Sequence, residues 1–410
     1  MLIQQFMRMI TLLHSKSMNS HYDPAIPEWI GRHRNEMLAL LRRLVETNSY
    51  TTYKAGVDKV ADILIGEFRK YQLEIKRIEN SYLGDAIIAT PKWMTADEKG
   101  VLLCGHMDTV FPPDHPFQAY REEGEFAFGP GVIDMKGGLV AMLYAWLALN
   151  EAGFCLPTRF LLIPDEETGS MHSRELILSL ARQSEFALVF ECSGEEGQTA
   201  VGRKGKLSFR LDVKGRAGHV ADSAYNKASA NLALANKIIA IESLNDAEKG
   251  INVNVGRIEG GIGPNSVSEN AFALIDSRFP NREDGQWLES KLSEIADGCD
   301  VGGTSAKVVL MSRRDSMEPT KGNTFLSEIF EKTAKSLGFQ YSKEIRNGVS
   351  DANFIAETGI PVIDGLGPSG RDDHSDRERM NLNSLTERTI LAALGMKECW
   401  NALRNIPPEH

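Results

Sequence analysis

Cysteine is scarce in this 410-residue chain. There are five, Cys104, Cys155, Cys192, Cys299 and Cys399, an odd and scattered set with no Cys-x-x-Cys pair. That excludes a disulfide framework and points to a reducing compartment. Long apolar runs are missing too, and nothing approaches the roughly 18 consecutive apolar residues of a membrane span. Positive charge is in deficit, 46 Lys+Arg against 56 Asp+Glu for a net charge of −10, so neither nucleic acid nor a membrane is expected as a partner. Internal repeats and low-complexity segments are absent. What remains, 42% hydrophobic and 25% charged residues, is an ordinary globular composition, and the length suggests two domains.

The opening stretch MLIQQFMRMITLLHSKSMNSHYD is partly apolar, but Gln4, Gln5, Arg8 and His14 interrupt it and no small-residue cleavage site follows. Residues 1–24 are therefore expected to be a poorly ordered extension in a cytoplasmic protein, with Met7, Met9 and Met18 as alternative starts.

Up to about residue 203 the chain alternates helical periodicity (WIGRHRNEMLALLRRLVE, VDKVADILIGEFRKYQ, GGLVAMLYAWLALNEAG) with short continuous apolar runs (GVLLCGH, TRFLLIP, ALVFECSG). Apolar runs that do not alternate are strands buried on both faces, and with helices between them they predict an α/β domain with a mostly parallel sheet. From about residue 206 the pattern changes. KLSFRLDVKG alternates strictly, with Leu207, Phe209, Leu211 and Val213 on one face. The order that follows is β-α-β-β-α-β, the ferredoxin-like arrangement. LSEIFEKTAKSLGF and GIPVIDGLGPSG then return to the first style. The expected organisation is a larger domain over 25–204 and 316–410, with an inserted domain over 205–315.

The segment FLLIPDEETGS ends an apolar run in three adjacent acids, Asp165, Glu166 and Glu167. Neighbouring carboxylates repel and raise one another's pKa unless a cation compensates them. Other strand ends carry similar chemistry: His106 and Asp108 after VLLCG, Glu191 after ALVF, and His374 beyond PVIDGLGPSG, while Asp134 stands at a helix start in GPGVIDMKGG. Sites in parallel α/β sheets form outside the carboxyl ends of the strands. Two histidines with several carboxylates and no required thiolate suit zinc, with cobalt or manganese as substitutes. Five ligands exceed the three usual for one catalytic zinc but fit two ions sharing a bridging carboxylate.

Each feature has a plainer reading. His-x-Asp can be a surface pair, paired glutamates can solvate a loop, Asp134 can cap a helix, and Cys192 can be a buried apolar residue. All of these must hold together at one sheet edge for the metal reading to fail. A serine or cysteine hydrolase using Ser369 or Cys192 with His374 lacks a Gly-x-Ser-x-Gly elbow and leaves five ligands unemployed. A non-catalytic, metal-free binding protein on the same fold is the other alternative.

The segments GHMDTVFP, GPGVIDMKGG, PDEETGS, FECSG, GRAGHV, GPNSVSENAFALIDSR, GVSDANF and GLGPSGRDDHSD, in this order and spacing, resemble the zinc-dependent aminoacylase and carboxypeptidase G family of metallopeptidases from about residue 30 to 400. The glutamate carboxypeptidase branch is the most similar. The resemblance implies two Zn²⁺ per chain, one on His106 and Glu191, the other on Glu167 and His374, bridged by Asp134. Asp108 would orient His106, Glu166 would be the general base, and a cis peptide would follow Asp134. The smaller domain would be a lid through which members form homodimers. In it, His219 would polarise the scissile carbonyl, and Asn265 and Arg313 would bind substrate, with Arg314 as the alternative to Arg313. A glutamate at the Glu191 position is the family's habit in carboxypeptidases and deacylases. The implied reaction is hydrolysis of a peptidyl or N-acyl amino acid bearing a free carboxylate, by water activated at the dinuclear site. An acetylornithine deacetylase or succinyl-diaminopimelate desuccinylase type is the alternative.

Overall fold

A computed structural model describes residues 24–222 and 227–404. The extension expected over residues 1–24 lies outside them but for Pro24. Among the described residues no helix is long and apolar enough to cross a membrane. The chain divides into two compact units: the larger runs to Val201 and takes in Pro319–Glu344 and the residues from Ser350 on, and the smaller is Gly202–Glu318 with Ile345–Val349. The last segment lies beyond the range 205–315 read from the sequence.

The larger unit is built on a six-stranded sheet in the order Leu73–Ile78, Ala86–Pro91, Thr158–Ile163, Gly100–His106, Ser184–Val189, Val362–Ile363. Only Ala86–Pro91 opposes the others, so the sheet is mainly parallel. Gly100–His106 and Thr158–Ile163 are buried at every residue, which is why they read as unbroken apolar runs. The helix Lys54–Lys70 places Val57, Val60, Ala61, Leu64, Ile65 and Phe68 on one buried face, the spacing of a 3.6-residue period. It ends at Tyr71–Gln72, where Gln72 takes the left-handed φ of 58°. The helix Lys136–Glu151 is buried through Leu149 and packs against Leu382–Arg404 and Arg34–Val45. Cutting a core leucine such as Leu143 to alanine at such a position costs about 2–5 kcal/mol.

Three elements of this unit carry little signal in the sequence. Leu73–Ile78 is an edge strand whose burial falls off from its first residue, and its composition, LEIKRI, is half charged. Ala86–Pro91 ends in a proline. Leu382–Arg404 is buried on most of its circumference, which blurs its periodicity.

A separate four-stranded antiparallel sheet, in the order Gly370–Arg371, Arg379–Asn381, Phe126–Phe128, Arg121–Glu123, joins two segments far apart in sequence. It leads into the loop bearing Asp134 on one side and the loop bearing His374 on the other.

The smaller unit holds an antiparallel sheet in the order Asn252–Gly260, Asn270–Phe279, Gly205–Lys214, Ser305–Arg314. The helices Ala230–Glu242 and Arg282–Asp297 interleave with the strands as β-α-β-β-α-β. Leu207, Phe209, Leu211 and Val213 join Leu234, Ile275, Leu288 and Leu292 in its core. Both helices start on side-chain caps: Ser229 accepts the Leu232 N–H and Asn281 accepts the Asp284 N–H.

Candidate metal centre

Parallel strands end at one edge, and that edge gathers the acids and histidines of the larger unit. His106 is the last residue of its strand and pairs in register with Ile163, just ahead of Asp165–Glu167. The next strand, Ser184–Val189, leads directly to Glu191. Asp134 sits between the two histidines: its Oδ1 is 3.0 Å from Nε2 of His106 and its Oδ2 is 3.1 Å from Nε2 of His374. Glu191 Oε1 lies 3.6 Å from the first histidine and Glu167 Oε2 3.1 Å from the second. Each histidine therefore faces one oxygen of the shared aspartate and one glutamate. The peptide bond Asp134–Met135 is cis.

The electrostatics of this arrangement favour positive charge. Burial pushes the Glu191 carboxyl well up and that of Glu167 up to about 8, with Asp134 adding to both shifts. Burial works against a charged His106, yet Glu191, Asp108 and Asp134 hold its imidazole well above the usual value. Hydrogen bonds to Asp134 and Glu167 raise His374 to about 11. These atoms are lone-pair donors of the hard and borderline types that divalent zinc, cobalt or manganese accept. The donor set fits ions of this kind. Ligand atoms of His106, Asp134 and Glu191 lie within 4.8 Å of one another, as do those of Asp134, Asp373 and His374.

The loop FLLIPDEETGS divides its three acids by position. Asp165 is fully buried, and its carboxylate accepts the hydroxyl of Ser173 and the backbone N–H of His172 at 2.9 Å. It organises the loop and does not face solvent. Glu166 and Glu167 open a short 3₁₀ turn, and their backbone N–H groups each donate at 3.2 Å to Asp108, to Oδ1 and Oδ2 respectively. Asp108 also accepts the Thr51 hydroxyl at 2.7 Å. Nδ1 of His106 meets the Asp108 carbonyl at 3.0 Å and its Oδ1 at 3.3 Å, so the imidazole is oriented with Nε2 toward Asp134. Nε2 of His374 points at carboxylates, which gives no support to a Ser369 or Cys192 nucleophile.

Glycines permit the close packing behind the site. A Cβ on Gly138 would lie 1.9 Å from the Phe190 carbonyl oxygen, one residue before Glu191. Gly131 has φ +75°, and a Cβ there would meet Thr109 at 2.7 Å.

Sequence reasoning missed several residues. Asp373, beside His374 in RDDHSD, offers a further carboxylate near Asp134. Glu378, four residues past His374, is 1% exposed and accepts three backbone N–H groups from Gly131–Asp134. Thr51 and Ser173 are hydroxyls with no motif to announce them.

The profile of peptidase family M20/M25/M40 matches residues 102–394. The chain belongs to this family. It is an enzyme of the metallopeptidase and amidohydrolase kind, hydrolysing amide bonds of peptides or acyl amino acids, in a family that is typically zinc-dependent. Carboxypeptidase G2 of Pseudomonas sp. is 27% identical over 365 residues, 87% of this chain and 88% of the relative. Succinyl-diaminopimelate desuccinylase of Rickettsia bellii is 27% identical over 343 residues, 77% of this chain and 85% of the relative. Aminopeptidase PepT of Bacillus cereus shares the fold, with a TM-score of 0.74 at 20% identity over 89% of this chain and 98% of that one.

The remaining residues read from the sequence lie in the smaller unit of this M20-family enzyme. His219 and Asn265 are exposed neighbours there: Gly218–His219 pairs with Ser266–Val267, and the Val220 N–H donates to the Asn265 carbonyl at 3.1 Å. Arg313 is paired with carboxylates of its own unit, through Nε to Asp315 and Nη1 to Glu289, both at 2.8 Å. Arg314 is buried.

Proposed function

We propose that this M20-family enzyme is a carboxypeptidase or deacylase that cleaves a peptidyl or N-acyl amino acid with a free carboxylate at a dinuclear metal centre. The observation that supports it most is Asp134, which offers one carboxylate oxygen to each of two histidine–glutamate pairs. His106 and Glu191 would hold one ion, Glu167 and His374 the other, and Asp134 both. Zinc is the proposed metal, with cobalt or manganese as substitutes. When bound, such ions supply Lewis-acid polarisation of the substrate carbonyl and acidify water.

The chain's own residues do the rest. Glu166 takes a proton from the attacking water and returns it to the leaving amine nitrogen, as general base and then general acid. Its backbone is anchored on Asp108, which also sets the ring of His106. Direct attack by water leaves no acyl-enzyme. His219 is assigned to the oxyanion, and Asn265 and Arg313 to the substrate, on the sequence match. A substrate carboxylate reaching Arg313 exchanges with Asp315 or Glu289. The same match supports a lid role for the inserted unit and a homodimer through it, and cysteine usage supports a cytoplasmic location.

The choice of substrate end rests on Glu191 and on two relatives named as a carboxypeptidase and a desuccinylase. The test is metal analysis of reconstituted protein, together with a screen of dipeptides and N-acyl amino acids, each with free and amidated carboxyl ends. About two ions per chain and a preference for free carboxylates are expected. Full activity with less than one ion per chain overturns the dinuclear reading.

A further inference from the structure

The larger unit contains a buried carboxylate outside the ligand set whose placement has a consequence for the metal centre. Glu378 is 1% exposed. Its Oε2 accepts the Gly131 N–H at 2.9 Å, and its Oε1 accepts the N–H groups of Ile133 at 2.9 Å and Asp134 at 3.2 Å. Three N–H donors converging on one buried carboxyl group tie this side chain and the loop to each other. One of the three is the backbone amide of the aspartate placed between the two histidines.

Chain connectivity gives the bonds their meaning. Glu378 lies four residues after His374 and immediately before the strand Arg379–Asn381, which pairs with Phe126–Phe128. That pairing already fastens the two segments to each other. The stretch between Phe128 and the helix starting at Lys136 has no strand partner, and Gly131 within it adopts φ +75°. Glu378 fixes the course of this stretch, and with it the position of the Asp134 carboxylate relative to His374, 3.1 Å away.

The geometry points to Glu378 as the positioning residue of the dinuclear centre, a side chain that contacts neither ion nor substrate and sets the bridging geometry through the backbone of Asp134. The inference rests on the metal-centre reading above. Glutamine in its place must turn an amide N–H₂ toward at least one N–H donor, and an aspartate, one methylene shorter, cannot span all three.

The test is Zn²⁺ and Co²⁺ binding to metal-free protein by chelator competition, on wild type, Glu378→Gln and Glu378→Asp, with melting of the metal-free forms measured in parallel. The expected result is affinity about 10–100-fold weaker in Glu378→Gln, the usual cost of losing a supporting partner, with an altered Co²⁺ absorption spectrum and a smaller loss in Glu378→Asp. If Glu378→Gln does not fold, the smaller loss of affinity in Glu378→Asp, with its altered Co²⁺ spectrum, decides the matter. Wild-type affinity and spectrum in both variants overturn the inference. So does a lower melting temperature with unchanged affinity per folded molecule, which marks a strut and no more. Wild-type protein that binds neither ion refutes the metal-centre reading itself, and this inference falls with it.

Discussion

The carboxylate of Asp108 accepts the backbone N–H of Glu166 at 3.2 Å while its neighbouring oxygen takes the N–H of Glu167. One buried side chain thus ties the strand that ends in His106 to the loop of the proposed base. Asp108→Asn keeps the shape but brings an N–H₂ against backbone donors. We expect the variant to fold, to lose metal affinity by about 10–100-fold and to lose kcat as well. Wild-type metal affinity and turnover in this variant would show that Asp108 supports neither group.

Adjacent acids are assigned opposite tasks. Glu167→Gln should lose metal together with rate, because Glu167 faces His374 at 3.1 Å. Glu166→Gln should retain both ions and substrate binding while kcat falls by about 10²–10⁴-fold, the contribution of a positioned acid–base group. Metal content paired with kcat separates them, and the reverse outcome would swap the roles.

Gly138 tests the packing behind the site. An added Cβ would meet the Phe190 carbonyl at 1.9 Å, so the backbone ahead of Glu191 must move. Gly138→Ala should lower stability by about 1–3 kcal/mol and weaken metal binding. Denaturant midpoint and metal affinity measured together would show whether the shift reaches Glu191; an unchanged midpoint contradicts the contact.

Arg313 is the proposed carboxylate grip although Glu289 and Asp315 now hold it. Lysine cannot reproduce a two-bond guanidinium clamp. Arg313→Lys should raise KM by about tenfold or more with little change in kcat, and amidated substrates should be poor. A silent Arg313→Lys beside an impaired Arg314→Lys would move the grip to Arg314.

His219 is exposed in the smaller unit. If it serves a neighbouring protomer's metal centre, His219→Ala mixed with Glu166→Ala under subunit exchange should regain part of the lost activity. A fully active monomer in solution would refute the shared site.

Local pattern and composition determined much of this protein. Continuous apolar runs interrupted by helices specified strands buried on both faces, and because parallel strands end together, acids and histidines written after GVLLCG, FLLIP and ALVF were bound to meet at one edge. Strict alternation in KLSFRLDVKG specified a half-exposed antiparallel strand by the same reasoning. Tertiary structure decided what no local pattern encodes. Glu378 reads as one more charge in HSDRERM, and only the pairing of Arg379–Asn381 with Phe126–Phe128 brings it under Gly131–Asp134, more than 240 positions earlier in sequence. Thr51 and Asp373 were hidden for the same reason, since Asp108 and Asp134 lie on other segments, whereas Ser173 is local to Asp165, eight residues earlier. Leu73–Ile78 was hidden differently: an edge strand with a charged exposed face owes its conformation to the neighbour it pairs with, Ala86–Pro91, more than to its own residues.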